Sequence, residues 1–245
     1  MGSISAQTKG ILARLAETTG QPPIDEIFDI LRQDGDVDHI VYHALNVRGL
    51  TVDKPYLRLT YPQAWIDRYF ERDYFTIDPV VEEGMRASLP FNWLDLDWSS
   101  RRRRAFAEDA RHHGISLCGY TVPIRGPDAQ HAMFSVCCDT EPAQWLERTD
   151  EFGRELMLIA HYFHQAVIAA EGAQPSDPVT LSGREKAVLE WSAAGKTTVE
   201  IAAILEIAER TVRVYLDTSR HKLGATNRTH AVARAISLGL IQPPV

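Results

Sequence analysis

Residues 209–224, ERTVRVYLDTSRHKLG, carry two kinds of side chain at one helical period. Val212, Leu216, Ser219 and Leu223 recur at i, i+4, i+7 and i+11, a single narrow stripe. Arg213, Asp217 and Arg220 repeat part of that spacing on the other side, with Arg210 ahead of them. Two readings fit. The segment is either a solvated surface helix or an element that enters the major groove of double-stranded DNA, where Arg makes bidentate bonds to guanine O6 and N7.

The flanking residues bear on the choice. Ser182 and Glu185 form S-x-x-E, a capping box that satisfies the free N–H groups of a helix start. That helix runs through Val188, Leu189 and Trp191 to Gly195, a residue that enters the left-handed C-cap without steric cost. Thr197 and Glu200 repeat the box before Ile201, Ala202 and Leu205, and Asn227 caps a last helix bearing Ala231, Ala235 and Ile236. The C-terminal part is thus predicted to be all-α, with four helices. Its second and third are joined by a tight turn, the arrangement of a helix-turn-helix. Backbone N–H groups near Thr197 and Thr198 would face a phosphate, and Lys222, at the far end of the third helix, the DNA backbone.

The chain has 245 residues, 44% hydrophobic, enough for two modest cores. EGAQPSDPV, residues 171–179, gathers Gly172, Pro175 and Pro178 among small polar residues and marks a linker over 172–179, dividing 1–171 from 180–245. From Ser176 onward nine Lys/Arg stand against seven Asp/Glu, a local +2 that leaves −9 of the net −7 on the rest. No charged start followed by an apolar run, and no apolar stretch of about 18 residues, is present, so a cytoplasmic protein without membrane association is expected. Cys118, Cys137 and Cys138 read as buried reduced thiols, and His112, His113, His161 and His164 lack companions at metal spacing, so neither metal nor cofactor is expected. Arg101–Arg104 read either as a solvated basic turn or as a contact site. No nucleophile elbow, phosphate loop or acid–base carboxylate pair points to an enzyme.

Residues 181–241 closely resemble the LuxR-type helix-turn-helix, through Leu181, Arg184-Glu185, Gly195-Lys196, Ile201-Ala202, Thr211-Val212, Lys222-Leu223-Gly224 and Asn227-Arg228. The resemblance implies DNA contact by Thr197, Thr198, Arg210, Thr211, Arg213, Asp217, Arg220, Lys222 and Arg228. Two positions depart from the pattern: Ala208 where a capping Ser is usual, and Tyr215 in place of a common His.

The N-terminal part has strand-like HIVYHALNV (39–47) and YLRLT (56–60), followed by none of the acids a phosphoryl receiver needs. Within YPQAWIDRYFERDYFTIDPV (61–80), Trp65 and Tyr69 share a helix face and Asp78 precedes Pro79. The aromatics either pack a core or join an indole N–H, a phenol and a carboxylate that a ligand completes, since buried polar groups need partners. With Trp93 and Gly119 in order, GYTVPIRG (119–126) and MFSVCCD (133–139), the segment resembles the autoinducer-binding domain of LuxR-type quorum-sensing regulators. That resemblance implies an α/β/α sandwich with a central antiparallel sheet, hence an α+β chain overall, and an N-acyl-homoserine lactone as the autoinducer ligand. Trp65 would donate to the lactone carbonyl and Tyr69 to the amide carbonyl, Asp78 would accept the amide N–H, and Ser135 would add a polar contact. Tyr61, Phe75, Trp93 and Phe106 are lining candidates. Residues 151–171 are expected to pair two copies into a homodimer on a two-fold DNA site. The alternatives are an orphan regulator answering another small molecule and, more remotely, a lactone hydrolase.

Overall fold

The computed structural model describes residues 4–17, 21–34, 37–45, 56–126, 130–171 and 179–242. They fall into two compact units, one of residues 4–125 and 130–171, the other of residues 179–242. Of the expected linker only Val179 lies within the described residues.

The first unit is built on β1 (His39–Leu45), β2 (Tyr56–Leu59), β3 (Phe91–Asn92), β4 (Gly119–Arg125) and β5 (His131–Cys137). All pairings are antiparallel, in the order β2-β1-β5-β4-β3. Residues 46 and 47, expected to extend the first strand, lie outside the described residues. Strand side chains alternate between faces, and here both faces are covered. Ile40, Tyr42, Ala44, Val122, Ile124, Ala132, Phe134 and Val136 pack with α1 (Ala6–Glu17), α2 (Ile24–Asp34) and α6 (Pro142–Glu171) in the main core. The opposite face carries Thr121, Met133, Ser135 and Cys137. Over it lies a smaller, aromatic cluster of α3 (Gln63–Glu71), α4 (Pro79–Arg86) and α5 (Arg101–His112). This is the expected α/β/α sandwich. α6 supplies Leu156, Ile159, Ala160, Phe163 and Val167 to the main core.

The second unit comprises α7 (Gly183–Ala193), α8 (Thr198–Ile204), α9 (Glu209–Lys222) and α10 (Arg228–Ser237). Both capping boxes form, Ser182 with Glu185 and Thr197 with Glu200. Gly195 takes φ 82° after α7, and Asn227 caps α10 through the His230 N–H. Ala208 gives α9 no side-chain cap. The turn between α8 and α9 holds Glu206 at φ 53°, a left-handed conformation unusual for a residue with a Cβ. Val188, Ile201, Ala202 and Val212 make the core between the two helices of the motif, and Leu189, Leu223, Ala231 and Ala235 a second core under α7 and α10.

Candidate functional site

On the aromatic side of the sheet, seven of the eight expected residues are brought together by α3, α4, α5 and the strands. Trp65 is 2% exposed, its indole caged by the rings of Tyr69, Tyr74, Phe106 and His113, with centroids 5.4–5.9 Å away. Its Nε1–H finds no hydrogen-bond partner among the described residues. One turn on, the Tyr69 hydroxyl donates to Asp78 Oδ2 at 2.9 Å. Asp78 is the N-cap of α4, its Oδ1 accepting the Val80 N–H at 2.8 Å, and Pro79 supplies the fixed φ favoured at the first helical position. A buried carboxylate loses its hydration, and burial pushes the Asp78 carboxyl above its usual range while the bonds from Tyr69 and Val80 pull it back. Burial raises both phenols, followed by the Asp78 charge for Tyr69 and by Cys137 and then Asp78 for Tyr61, so both remain hydroxyl donors at neutral pH.

The strands contribute a second polar chain. Trp93 Nε1 donates to Thr121 Oγ1 at 2.8 Å, and Thr121 Oγ1 lies 2.8 Å from Ser135 Oγ. Thr121 and Ser135 are register partners on β4 and β5. An indole only donates. Thr121 therefore accepts from Trp93 and can pass its own hydrogen to Ser135, whose hydroxyl is then available as a donor on this face. A Cβ at Gly119 would stand 2.1 Å from the Trp93 ring, so the glycine is what lets the indole lie against the strand. Thr121 is the participant that the sequence reading missed. A fully buried polar residue in an otherwise apolar strand was its only mark.

Two expected lining residues part company. Phe106 is 5% exposed and stacks on Trp65, whereas Phe75, in the turn after α3, is 52% exposed and lines nothing. Tyr61 packs against the same aromatic cluster. A separate charged network braces it from outside: Asp109 accepts from Tyr74 Oη and Arg68 Nε, each at 2.6 Å, tying α3 and the following turn to α5. In Arg101–Arg104, Arg103 bridges Asp97 and Glu82.

In the second unit, α9 turns Val212, Ser219 and Leu223 inward. The outward axis is Arg210, Val214, Asp217 and His221, at i, i+4, i+7 and i+11, all exposed. Arg213 flanks it, its guanidinium held to Glu209 Oε1 at 2.7 and 3.2 Å, and Thr198 Oγ1 donates to the same oxygen at 2.7 Å. Thr211 is half-buried beside the motif core. Asp217 accepts from Arg220, which also reaches the Ala225 carbonyl. Thr197 is exposed, its hydroxyl spent on Glu200.

Two expected cations are engaged within the unit. Lys222 Nζ lies 2.9 Å from Glu185 Oε2, a carboxylate only 6% exposed, and thereby fastens the end of α9 to the start of α7. Arg228 Nη2 donates to Ser192 Oγ and the Lys196 carbonyl, closing the end of α7. Each satisfies a group inside the unit, while the Lys222 side chain stays 40% exposed. Tyr215, half-buried, packs into the motif core.

Cys118, Cys137 and Cys138 are buried thiols. Among the described residues no cluster of three or more His, Cys, Asp or Glu side chains has the arrangement of a metal site, and no helix is long and apolar enough to cross a membrane.

Comparison with known proteins agrees with both halves. The family described as Autoinducer binding domain matches residues 24–167, and that described as Bacterial regulatory proteins, luxR family, matches residues 179–235. The chain is 36% identical over 179 residues to the transcriptional activator protein RaiR of Rhizobium etli, covering 73% of this chain and 74% of that one. It is 34% identical over 205 residues to the HTH-type quorum-sensing regulator RhlR of Pseudomonas aeruginosa, covering 83% of each. The crystal structure of Escherichia coli SdiA superposes with a TM-score of 0.71 at 25% identity, over 96% of this chain and 98% of that one.

Proposed function

We propose that this chain, which belongs to the LuxR family of quorum-sensing transcriptional regulators, takes an N-acyl-homoserine lactone as its signal and acts on DNA as a homodimer in the cytoplasm. The autoinducer-binding domain is assigned to 1–171, the linker to 172–179 and the DNA-binding domain to 180–245. The observation that carries the ligand reading is the convergence of Trp65, Tyr69–Asp78 and Thr121–Ser135 on one buried, aromatic face.

The donors and acceptors match the ligand's polar groups. A lactone carbonyl meets the Trp65 Nε1–H, the amide carbonyl meets the Ser135 hydroxyl and, once its hydrogen turns from Asp78, that of Tyr69, and the amide N–H meets Asp78. Tyr61 and Trp93 complete the wall. Ligand that binds only the folded domain adds RT ln(1 + [L]/Kd) to its stability, about 2.7 kcal/mol at one hundred times Kd. DNA contacts are assigned to Arg210, Thr211, Arg213, Asp217 and Arg220 on α9, with the N–H groups at Thr197 and Thr198 toward a phosphate. The exposed side of residues 151–171, with Met157 and Tyr162, is assigned to the partner copy.

The test is to express the protein with and without a panel of straight, branched and aromatic acyl-homoserine lactones, extract bound material and identify it by mass spectrometry. Retention of one lactone, with its ring closed, supports the reading. Release of ring-opened product points to a hydrolase, and retention of none, or of a different molecule, overturns the lactone assignment. Sedimentation of the loaded protein tests the homodimer, and limited proteolysis the boundary.

A further inference from the structure

We propose that Val214 reads the 5-methyl group of a thymine and sets one base preference of the target site, an inference that rests on α9 being the helix that enters the major groove. Val214 is 55% exposed at the middle of the outward axis, with Arg210 one turn before it and Asp217 about one turn after. It contributes nothing to the core: Val212 and Ser219 point the other way, and the adjacent Tyr215 and Leu216 turn toward it. A β-branched residue on an exposed helix face costs helix propensity relative to Ala. Packing and propensity give Val214 no role there. A base edge gives it one.

Valine makes no hydrogen bond, so the only feature of the major groove it distinguishes is the methyl of thymine. Its neighbours are polar and partly fixed before any DNA arrives. Glu209 holds the Arg213 guanidinium, and Arg220 holds the Asp217 carboxylate. Arg at this face selects guanine, and a carboxylate accepts from the cytosine amino group. Residues 210 to 217 span about 10 Å of helix axis, which is roughly three base pairs. The geometry points to a thymine lying within about three base pairs of the guanine and cytosine contacts, in each half-site.

The experiment starts from a randomised duplex library selected with full-length protein purified from cells supplied with the lactone panel. In the enriched duplex each thymine is then replaced singly by deoxyuridine, which removes one methyl and nothing else. Wild-type protein is expected to lose about fourfold in affinity at one thymine per half-site, the value of one buried methyl. Val214→Ala is expected to bind the thymine duplex correspondingly less well and to be indifferent to that replacement, with its thermal melt unchanged or slightly raised. A wild-type protein that tolerates deoxyuridine at every position, or a methyl dependence that survives in Val214→Ala, overturns the assignment while leaving DNA binding intact. Failure to enrich any duplex overturns DNA reading by α9 itself.

Discussion

Replacing Asp78 separates its structural work from its proposed work on the ligand. Its two oxygens make two intramolecular bonds, to the Val80 N–H at 2.8 Å and from the Tyr69 hydroxyl at 2.9 Å, at a residue 9% exposed. Asp78→Ala removes a helix cap, about 1 kcal/mol, and orphans a largely buried hydroxyl, about 1–3 kcal/mol. The ligand-free domain should therefore lose about 2–4 kcal/mol, and its melting temperature should fall by roughly 5–15 °C. Asp78→Asn behaves differently. Its amide oxygen can still cap Val80, and its NH2 group can donate to Tyr69, whose hydroxyl turns to accept, so stability should change by less than about 1 kcal/mol. What Asn lacks is charge and a second acceptor. A ligand N–H loses a bond to an ionised group, worth about 1.5–3 kcal/mol, so the half-maximal lactone concentration should rise tenfold to a hundredfold. The assay pairs a transcriptional reporter titrated with lactone against thermal melts with and without it. An Asn variant that answers at wild-type concentrations would falsify the assignment of Asp78 to the amide N–H, whatever Ala does.

Three further outcomes follow from other contacts. His164 is 6% exposed, its Nδ1 2.8 Å from Tyr42 Oη and its Nε2 buried without a partner among the described residues, and burial pushes its pKa down to about 4. Because the folded value lies below the unfolded 6.5, this group's contribution is complete above pH 6.5 and is lost as pH falls toward 4, at up to about 1.4 kcal/mol per pH unit; urea unfolding at several pH values should show a flatter profile for His164→Gln, and identical slopes would refute it. Lys222→Met leaves the Glu185 carboxylate without its cation and should cost about 1–3 kcal/mol of stability while leaving the salt dependence of DNA binding unchanged; a slope smaller by about one would instead put Lys222 on a phosphate. Gly119→Ala places a methyl 2.1 Å from the Trp93 ring, which must swing off Thr121, costing about 1–3 kcal/mol and altering the indole environment; unaltered tryptophan fluorescence and melting would show that the strand yields instead.

What was legible in the sequence was local. Ser182–Glu185, Thr197–Glu200 and Asn227 announce helix starts because a cap and the groups it satisfies lie within three residues. The sheet covered on both faces came only from the family resemblance, whereas the linking of Trp65, Tyr69 and Asp78 needs only one helix and its exit turn. Long-range pairing was not legible. Nothing near Lys222 says that Glu185, 37 residues back, needs a cation, and nothing near Tyr42 names His164 as its partner 122 residues away. Phe75 shows the limit of aromatic content as a guide, since a turn decides its direction. Val214 was passed over because charge marked the outer face of α9, while the exposed axis runs through an apolar residue.

The sensor site has an energetic logic that follows from its internal bonds. Tyr69 with Asp78, and Trp93 with Thr121 and Ser135, close most of the polar needs of the buried face without a ligand. A ligand that had to break those pairs would gain little, since each exchange replaces one hydrogen bond by another. An amide N–H need break none of them, because a carboxylate with two bonds has further lone-pair capacity, and Ser135, receiving from Thr121, keeps its own hydrogen to give. The Trp65 N–H, which makes no bond to the described residues, can take a carbonyl. These ligand groups add to the network, whereas a carbonyl on Tyr69 exchanges for its bond to Asp78, and the gain comes together with the burial of an acyl chain at about 25 cal/mol per Å². On this account specificity for the polar head lies in Asp78, Trp65 and Ser135, the groups left with capacity to spare, and mutations of the internally satisfied Thr121 should act on stability before they act on ligand choice.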